Sequence, residues 1–296
     1  MAEEPSMSVQ SRAGGGGAAD RAVIEALIPR AVAYFGDLQA RICSAFEAFE
    51  PSARFEERSW SRPEGHPTEG GGAGRLMRGE VFEKVGVNVS HVWGTLSAQG
   101  RKQVQGAEES DGRFTACGIS LVAHLVNPYV PTVHMNLRLL STSRAWFGGG
   151  ADLTPTFPVD EDTIEFHRAL ERACEAYRPG AYREFKEWCD RYFYLPHRRE
   201  PRGVGGIFFD ELASGDIERD FAFVQGVGGA FLDVYPRIVA RRRATPYDEA
   251  AREKLLVKRG RYVEFNLVYD RGTRFGFATD ADPEAYLMSL PPLVKW

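Results

Sequence analysis

The chain has 296 residues, 43% hydrophobic and 12% aromatic, enough to bury a sizeable core. Charged residues make up 26%, with a net charge of -4. That mild acidity argues against a general nucleic-acid binder, which is ordinarily basic, but leaves room for local basic clusters that hold an acidic ligand.

Residues 1–20 carry the run Gly14 to Gly17 and have neither the apolar centre of a signal peptide nor the Arg-rich character of a transit peptide. They are expected to be a disordered leader on a cytoplasmic protein. Arg21 to Glu50 predicts a helix, because Ile24, Leu27, Ile28, Ala31 and Phe35, then Leu38, Ile42, Cys43 and Phe46, recur at helical spacing. Arg54 to Trp60 reads as a short strand, and Arg62 to Gly74, rich in Gly and Pro, as a loop. Strand-type patterns follow at Val81 to Ser90, Arg113 to Leu125, Val133 to Leu140 and Arg144 to Phe147. Asp162 with Glu165 suggests a capping pair for a helix lined by Phe166, Leu170, Cys174 and Tyr177. A second helix is expected from Ala181 to Phe193, a strand at Gly206 to Phe209, and a long helix from Asp216 to Tyr235. Gly226, Gly228 and Gly229 in that helix point to close packing or a break. Thr245-Pro246 should open the next helix and Gly260 end it, with Tyr262 to Tyr269 as the last strand. Strands in hairpin-like succession before the helices give an α+β single domain over 21–296, with a large, mainly antiparallel sheet. No membrane span is expected, since no apolar run of about 18 residues occurs. Cys43, Cys117, Cys174 and Cys189 form no C-x-x-C pair and read as reduced, buried thiols.

Alternation of side chains along a strand puts His134, Asn136 and Arg138 on one face, roughly 7 Å apart in steps. Val133, Met135, Leu137 and Leu139 take the other face, toward the core. The polar row offers a guanidinium fork for a carboxylate and a proton donor beside it, although by spacing alone an ordinary solvated strand face is the favoured reading. Ser120 and His124 share a face of the preceding strand. Trp146-Phe-Gly-Gly-Gly150-Ala-Asp152 matches neither the G-x-G-x-x-G pattern nor the P-loop, and reads as a flexible turn or a ligand-approaching backbone. His124, His134, His167 and His197 lack the paired spacing of a typical metal site; His167 suits a core histidine and His197 a helix cap. Asp270 and Arg271 stand before Gly272 as a turn, or as a base and an anion contact. Arg241-Arg-Arg243 reads as a solvated helix end.

Six segments in order resemble the oxygen-dependent coproporphyrinogen oxidases: Val81 to Ser90, His124 to Arg138, Trp146 to Pro155, Phe166 to Arg168, Arg202 to Asp210 and Arg261 to Thr273. The resemblance runs from about Ala22 to Trp296. It implies a flat antiparallel sheet sandwiched by helices and a homodimer, placed through the C-terminal segment about 262–296. It also implies conversion of two propionates of coproporphyrinogen III to vinyl groups, giving protoporphyrinogen IX, with dioxygen as oxidant and no organic cofactor. On the family pattern Ser120, Asn136, Leu137, Arg138 and Arg271 contact substrate, His134 donates a proton and Asp270 is a candidate base. His124, His134, His167 and His197 match histidines assigned to a divalent metal such as manganese. Two departures stand out: Asp280-Ala281-Asp282 occupies the place of the family's Gly-Gly-Arg, and the family's first Gly-rich run is less regular here, as Glu69 to Gly74, read as a loop that closes over the substrate. Rival readings are a non-catalytic tetrapyrrole-binding protein on the same scaffold and a histidine-metal hydrolase.

Overall fold

A computed structural model describes residues 18–102, 104–273, 283 and 287–296. Helix α1 (Ala18–Glu47) precedes strands β1 (Glu56–Ser61), β2 (Thr68–Met77) and β3 (Phe82–Thr95). After the short α2 (Ala98–Arg101) come β4 (Arg113–Leu125), β5 (Thr132–Ser141) and β6 (Ala145–Thr154). Helices α3 (Asp160–Tyr177) and α4 (Ala181–Tyr192) follow, then a two-residue ladder of β7 (Tyr194–Leu195) and β8 (Glu200–Pro201). The described chain continues through β9 (Gly205–Leu212), α5 (Ile217–Arg242) and α6 (Glu249–Val268) to a 3-10 turn at Leu287–Ser289. Seven strands form one antiparallel sheet in the order β1-β2-β3-β4-β5-β6-β9. The α+β reading holds.

Period-two alternation gives this sheet two unlike faces. The back face carries Val85, Val87, Ile119, Leu121, Met135, Leu137, Leu153, Ile207 and Phe209, each at most 1% exposed. They pack with the apolar stripes of α1, α3 and α5 in one continuous core. Each such side chain contributes roughly 1.5–3 kcal/mol by leaving water. Gly228 shows why α5 tolerates glycine: a Cβ there would lie 2.3 Å from Tyr34 Oη and 2.8 Å from Leu38. Close packing of α1 on α5 is the reason, and the helix runs on unbroken to Arg242.

Several expectations change. Residues Thr68–Met77 are a strand rather than a loop, and the glycine run of Trp146 to Pro155 lies inside β6 rather than in a turn. The expected strand Tyr262 to Tyr269 is the second half of α6. Among its buried positions, Ala251, Leu255, Arg259, Tyr262, Val263 and Asn266 recur at helical spacing, but Arg259 and Asn266 are polar and masked the period. Gly260 does not end the helix; a Cβ there would meet Lys295 O at 2.4 Å, so it lets the C-terminal segment cross α6. Nor does Pro246 begin it, since Asp248 is the N-cap and accepts from Ala251 N. Asp162 does not cap α3. It is buried and bound by Arg241 and Arg242 at 2.7 Å, so the arginine run is a clamp between α3 and α5 rather than a solvated end.

Candidate active site

The front face is built unlike the back. Cross-strand register lays down three rows: Gly74, Asn88, Ser120, Asn136, Gly150, Phe208; then Trp60, Gly72, Ser90, Gly118, Arg138, Gly148; then Leu76, Gly86, Val122, His134, Asp152, Gly206. Glycine fills seven of these eighteen positions, which leaves a low, flat, polar floor. The space beside these glycines is already filled, as at Gly150 and Gly148. A Cβ at Gly150 would lie 2.1 Å from Ile207 O, and one at Gly148 would lie 2.6 Å from Asp210 Oδ1 and 2.8 Å from Arg138 Nε.

One end of the floor is covered. There α6 and the turn Leu287–Ser289 lie over the front of β3 and β4, with Met288 above Gly86 and Tyr262 edge-on to His124. His124 is 0% exposed. Its Nε2–H donates to Ser289 O at 2.8 Å, and Nδ1 lies 3.4 Å from Thr132 Oγ1. Burial first, then Arg259, pushes its imidazole down to about 3.

Among the described residues the other end is open, and it carries the charged groups. His134 Nδ1–H donates to Asp152 Oδ1 at 2.8 Å. Its Nε2 has no partner among the described residues. Arg202 bonds the second Asp152 oxygen at 2.7 Å and is 2% exposed. It also donates to Asn266 at 3.2 Å and is enclosed by the rings of Phe193, Tyr262 and Phe265 at 3.9, 4.5 and 4.6 Å. Burial alone would raise the Asp152 carboxyl, but Arg202 and the bond from His134 outweigh it and hold it below the usual carboxylate range. A charged, immobile carboxylate therefore fixes the tautomer and plane of the imidazole.

Arg138 passes over Gly148 and pairs with Asp210 at 2.7 Å. Arg271 approaches the other oxygen of Asp210 at 4.0 Å. Asp210 shares the front face with Phe208 by alternation, and just after it an irregularity between β6 and β9 puts one extra residue in β9, where Glu211 takes φ 51°. Asp270 accepts from Tyr192 Oη at 3.2 Å and from Thr273 N at 2.7 Å. Tyr192 stacks on Phe208 at 4.3 Å, making an aromatic edge to the floor.

Of the expected site residues, Ser120, His134, Asn136 and Arg138 share this face, and Asp270 and Arg271 flank it. Leu137 does not share it: its side chain is 0% exposed on the back face, so only its main chain adjoins the floor. The four histidines are not brought together. His167 uses both nitrogens, with Val204 O at 3.0 Å and Tyr182 Oη at 2.8 Å. His197 uses both, with Glu264 at 2.7 Å and Tyr269 Oη at 3.0 Å. A metal needs converging free lone pairs. Among the described residues no three His, Cys, Asp or Glu side chains gather for one. The histidine set does not fit a divalent ion, and the reason is that three of the rings already serve the fold. Asp280-Ala281-Asp282 lies outside the described residues, as does most of the expected leader.

Asp152, Arg202, Asp210 and Tyr192 were missed as site residues. Alternation from Gly148 to Asp152 would have found Asp152. Arg202, Asp210 and Tyr192 come from other elements, and only the tertiary structure brings them in.

The family model described as coproporphyrinogen III oxidase matches residues 30–296. Curated relatives named oxygen-dependent coproporphyrinogen-III oxidase include one from Rickettsia bellii (strain OSU 85-389), 52% identical over 272 residues, covering 89% of this chain and 96% of the relative. Those from Rickettsia akari (strain Hartford) and Rickettsia rickettsii (strain Sheila Smith) are 52% and 50% identical with the same coverage.

Proposed function

The chain belongs to the coproporphyrinogen III oxidase family, and on that premise we propose that it converts two propionates of coproporphyrinogen III to vinyl groups in haem biosynthesis, giving protoporphyrinogen IX. The observation that carries the reading is the half of the front face left open among the described residues, a flat floor with one imidazole nitrogen that has no partner there and two arginines beside it. A macrocycle bearing carboxylates lies on such a floor, with Ser120 and Asn136 beneath and Arg138 and Arg271 holding carboxylates at its rim. Fixing one propionate there orders it for reaction. Each propionate loses its carboxylate as carbon dioxide and one hydrogen from the carbon attached to the ring. The two electrons pass to dioxygen, which with that hydrogen and one further proton leaves as hydrogen peroxide. His134 Nε2 is the proton-handling atom, steadied by Asp152 and Arg202. Asp270, held by Tyr192, is the candidate acceptor for the pyrrole N–H whose loss makes the ring electron-rich. No step runs through a metal or an organic cofactor.

A tetrapyrrole-binding protein without turnover would use the same floor. It would have no use for a buried Arg–carboxylate pair behind a single imidazole, and the enzyme reading is favoured. We place the protein in the cytoplasm as a homodimer; among the described residues no helix is long and apolar enough to cross a membrane. The dimer surface is assigned to the end of α6 and the C-terminus, where Leu267, Val268, Leu293 and Trp296 stand 42–70% exposed. The test is incubation of the protein with coproporphyrinogen III in air and under anaerobic conditions. Product should form only in air, and His134→Gln and Asp270→Asn should bind substrate while turning over at least about 100-fold more slowly. Absence of aerobic product with the wild-type protein overturns the reading.

A further inference from the structure

The floor has a second edge, opposite the catalytic groups, which neither the family resemblance nor the site above explains. Trp60 of β1 stands in the same cross-strand row as Arg138. Its indole leans inward over the neighbouring strand, since a Cβ at Gly72 would lie 2.9 Å from Trp60 Nε1. Arg62, two residues on, continues the β1–β2 pairing through its backbone N–H to Gly70 O at 2.8 Å. Its guanidinium sits 5.8 Å from the Trp60 ring centre. Arg62 Nε is shielded from solvent and has no hydrogen-bond partner, and no carboxylate lies within ion-pair reach of the side chain among the described residues. A half-buried cation with no anion of its own, stacked on an aromatic ring, is a site awaiting one.

The opposite edge repeats the arrangement. Arg271 stacks on Tyr192 with its guanidinium 5.7 Å from the ring centre, and Tyr192 in turn stacks on Phe208 at the end of the central row. The floor is thus bounded on two sides by an arginine on an aromatic ring. Trp60 and Arg138 are four strands apart, about 19 Å between main chains at ~4.8 Å per strand; the Trp60 indole reaches inward over β2, whereas Arg138 leans over Gly148 toward Asp210. A macrocycle whose reacting propionate is at Arg138 therefore extends its far side toward Trp60.

We infer that Arg62, supported by Trp60, anchors a carboxylate of the substrate that does not react, and so sets which propionate is presented to His134. This rests on the proposed reaction, in which two of four carboxylates are retained. The anchor is a positioning contact: Arg62 touches substrate but no reacting atom.

The experiment compares wild type, Arg62→Gln and Arg62→Lys with coproporphyrinogen III and with an analogue whose two retained propionates are replaced by ethyl groups. Arg62→Gln is expected to raise KM about tenfold for the natural substrate, with kcat near wild type and partial recovery in Arg62→Lys. With the analogue, all three proteins should share one KM, because the carboxylate is gone. Equal KM values on the natural substrate, or a KM rise of the same size on the analogue, overturn the anchor. Equilibrium binding of the oxidised tetracarboxylate porphyrin, followed by its fluorescence, separates this from the function itself. If the wild type makes no product yet binds the porphyrin and Arg62→Gln binds it more weakly, the reaction is wrong and the anchor stands.

Discussion

His124 and His134 lie on neighbouring strands, on the same face of one sheet, within eleven residues of each other in sequence, and they have opposite fates. His124 is roofed by α6 and the turn at Leu287–Ser289, makes its hydrogen bonds within the fold and is held neutral by burial. His134 has a charged carboxylate behind it and, among the described residues, a nitrogen in front with no partner. The strand pattern is the same; what differs is the element laid over it. Closing one end of a polar floor turns its histidine into a structural group, and leaving the other end open makes an imidazole available for chemistry. The C-terminal third of the described chain therefore defines the site by what it covers as much as by the residues it contributes.

The comparison is broken most severely at Arg202. Its charge and that of Asp152 are both out of water, and each is tolerated only because of the other. Arg202→Met should cost about 3–5 kcal/mol in urea unfolding, because it strands a buried carboxylate. The double variant with Asp152→Asn should recover most of that loss while leaving His134 without its orienting anion and turnover low. A single-variant loss below about 1 kcal/mol would mean that the open end does not depend on the pair.

The closed end answers to pH. An unfolded histidine titrates near 6.5, whereas folded His124 titrates near 3. Between those values the unfolded chain takes up the proton and the folded one does not. The stability this group confers is complete above about 6.5 and is lost as pH falls toward 3, at up to about 1.4 kcal/mol per pH unit. Asp152, lowered in the fold, acts in the same direction further into acid. His124→Gln keeps a donor for Ser289 O and cannot charge. Its urea midpoint should vary less between pH 6.5 and 4 than that of wild type, with turnover at neutral pH preserved. An unchanged pH slope would show that His124 is not the acid-labile group at this end.

Much of this was legible in sequence, and the limits have physical causes. The sheet's two faces followed from alternation, because Val133 to Leu139 and His134 to Arg138 segregate cleanly. The long α1 followed from its apolar stripe. Where buried positions are polar, the periodicity disappears: Arg259 and Asn266 hid the second half of α6, and β-branched and aromatic neighbours made it look like a strand. Glycine misled in two ways. In β2 and β6 it suggested loops, whereas it is there to keep the floor flat; at Gly260 it suggested a helix end, whereas it admits a crossing chain. The histidines could not be sorted by spacing, since what separates His134 from His124, His167 and His197 is whether a carbonyl, a hydroxyl or a carboxylate from a distant element already occupies the ring nitrogens.

The smallest expected effect tests whether the flatness of the open end is functional in itself. Gly148 lies directly beneath the Arg138–Asp210 pair, and the next residues of its row are Arg138 and Gly118. Gly148→Ala adds a single methyl group at 2.6 Å from Asp210 Oδ1 and 2.8 Å from Arg138 Nε. Both atoms sit on side chains rather than backbone, and Arg138 is partly exposed, so the pair can yield by swinging away from the floor. Stability should therefore change by no more than about 1 kcal/mol. The guanidinium, however, would be displaced from the position at which it meets a propionate. A KM about tenfold higher, equivalent to ~1.4 kcal/mol of lost binding, is expected with a smaller change in kcat. Arg138→Gln should raise KM at least as much, and adding Gly148→Ala to it should change little, because the methyl group would then have nothing left to displace. Additive effects of the two substitutions would place the role of Gly148 elsewhere, in direct contact with the macrocycle rather than beneath its carboxylate anchor.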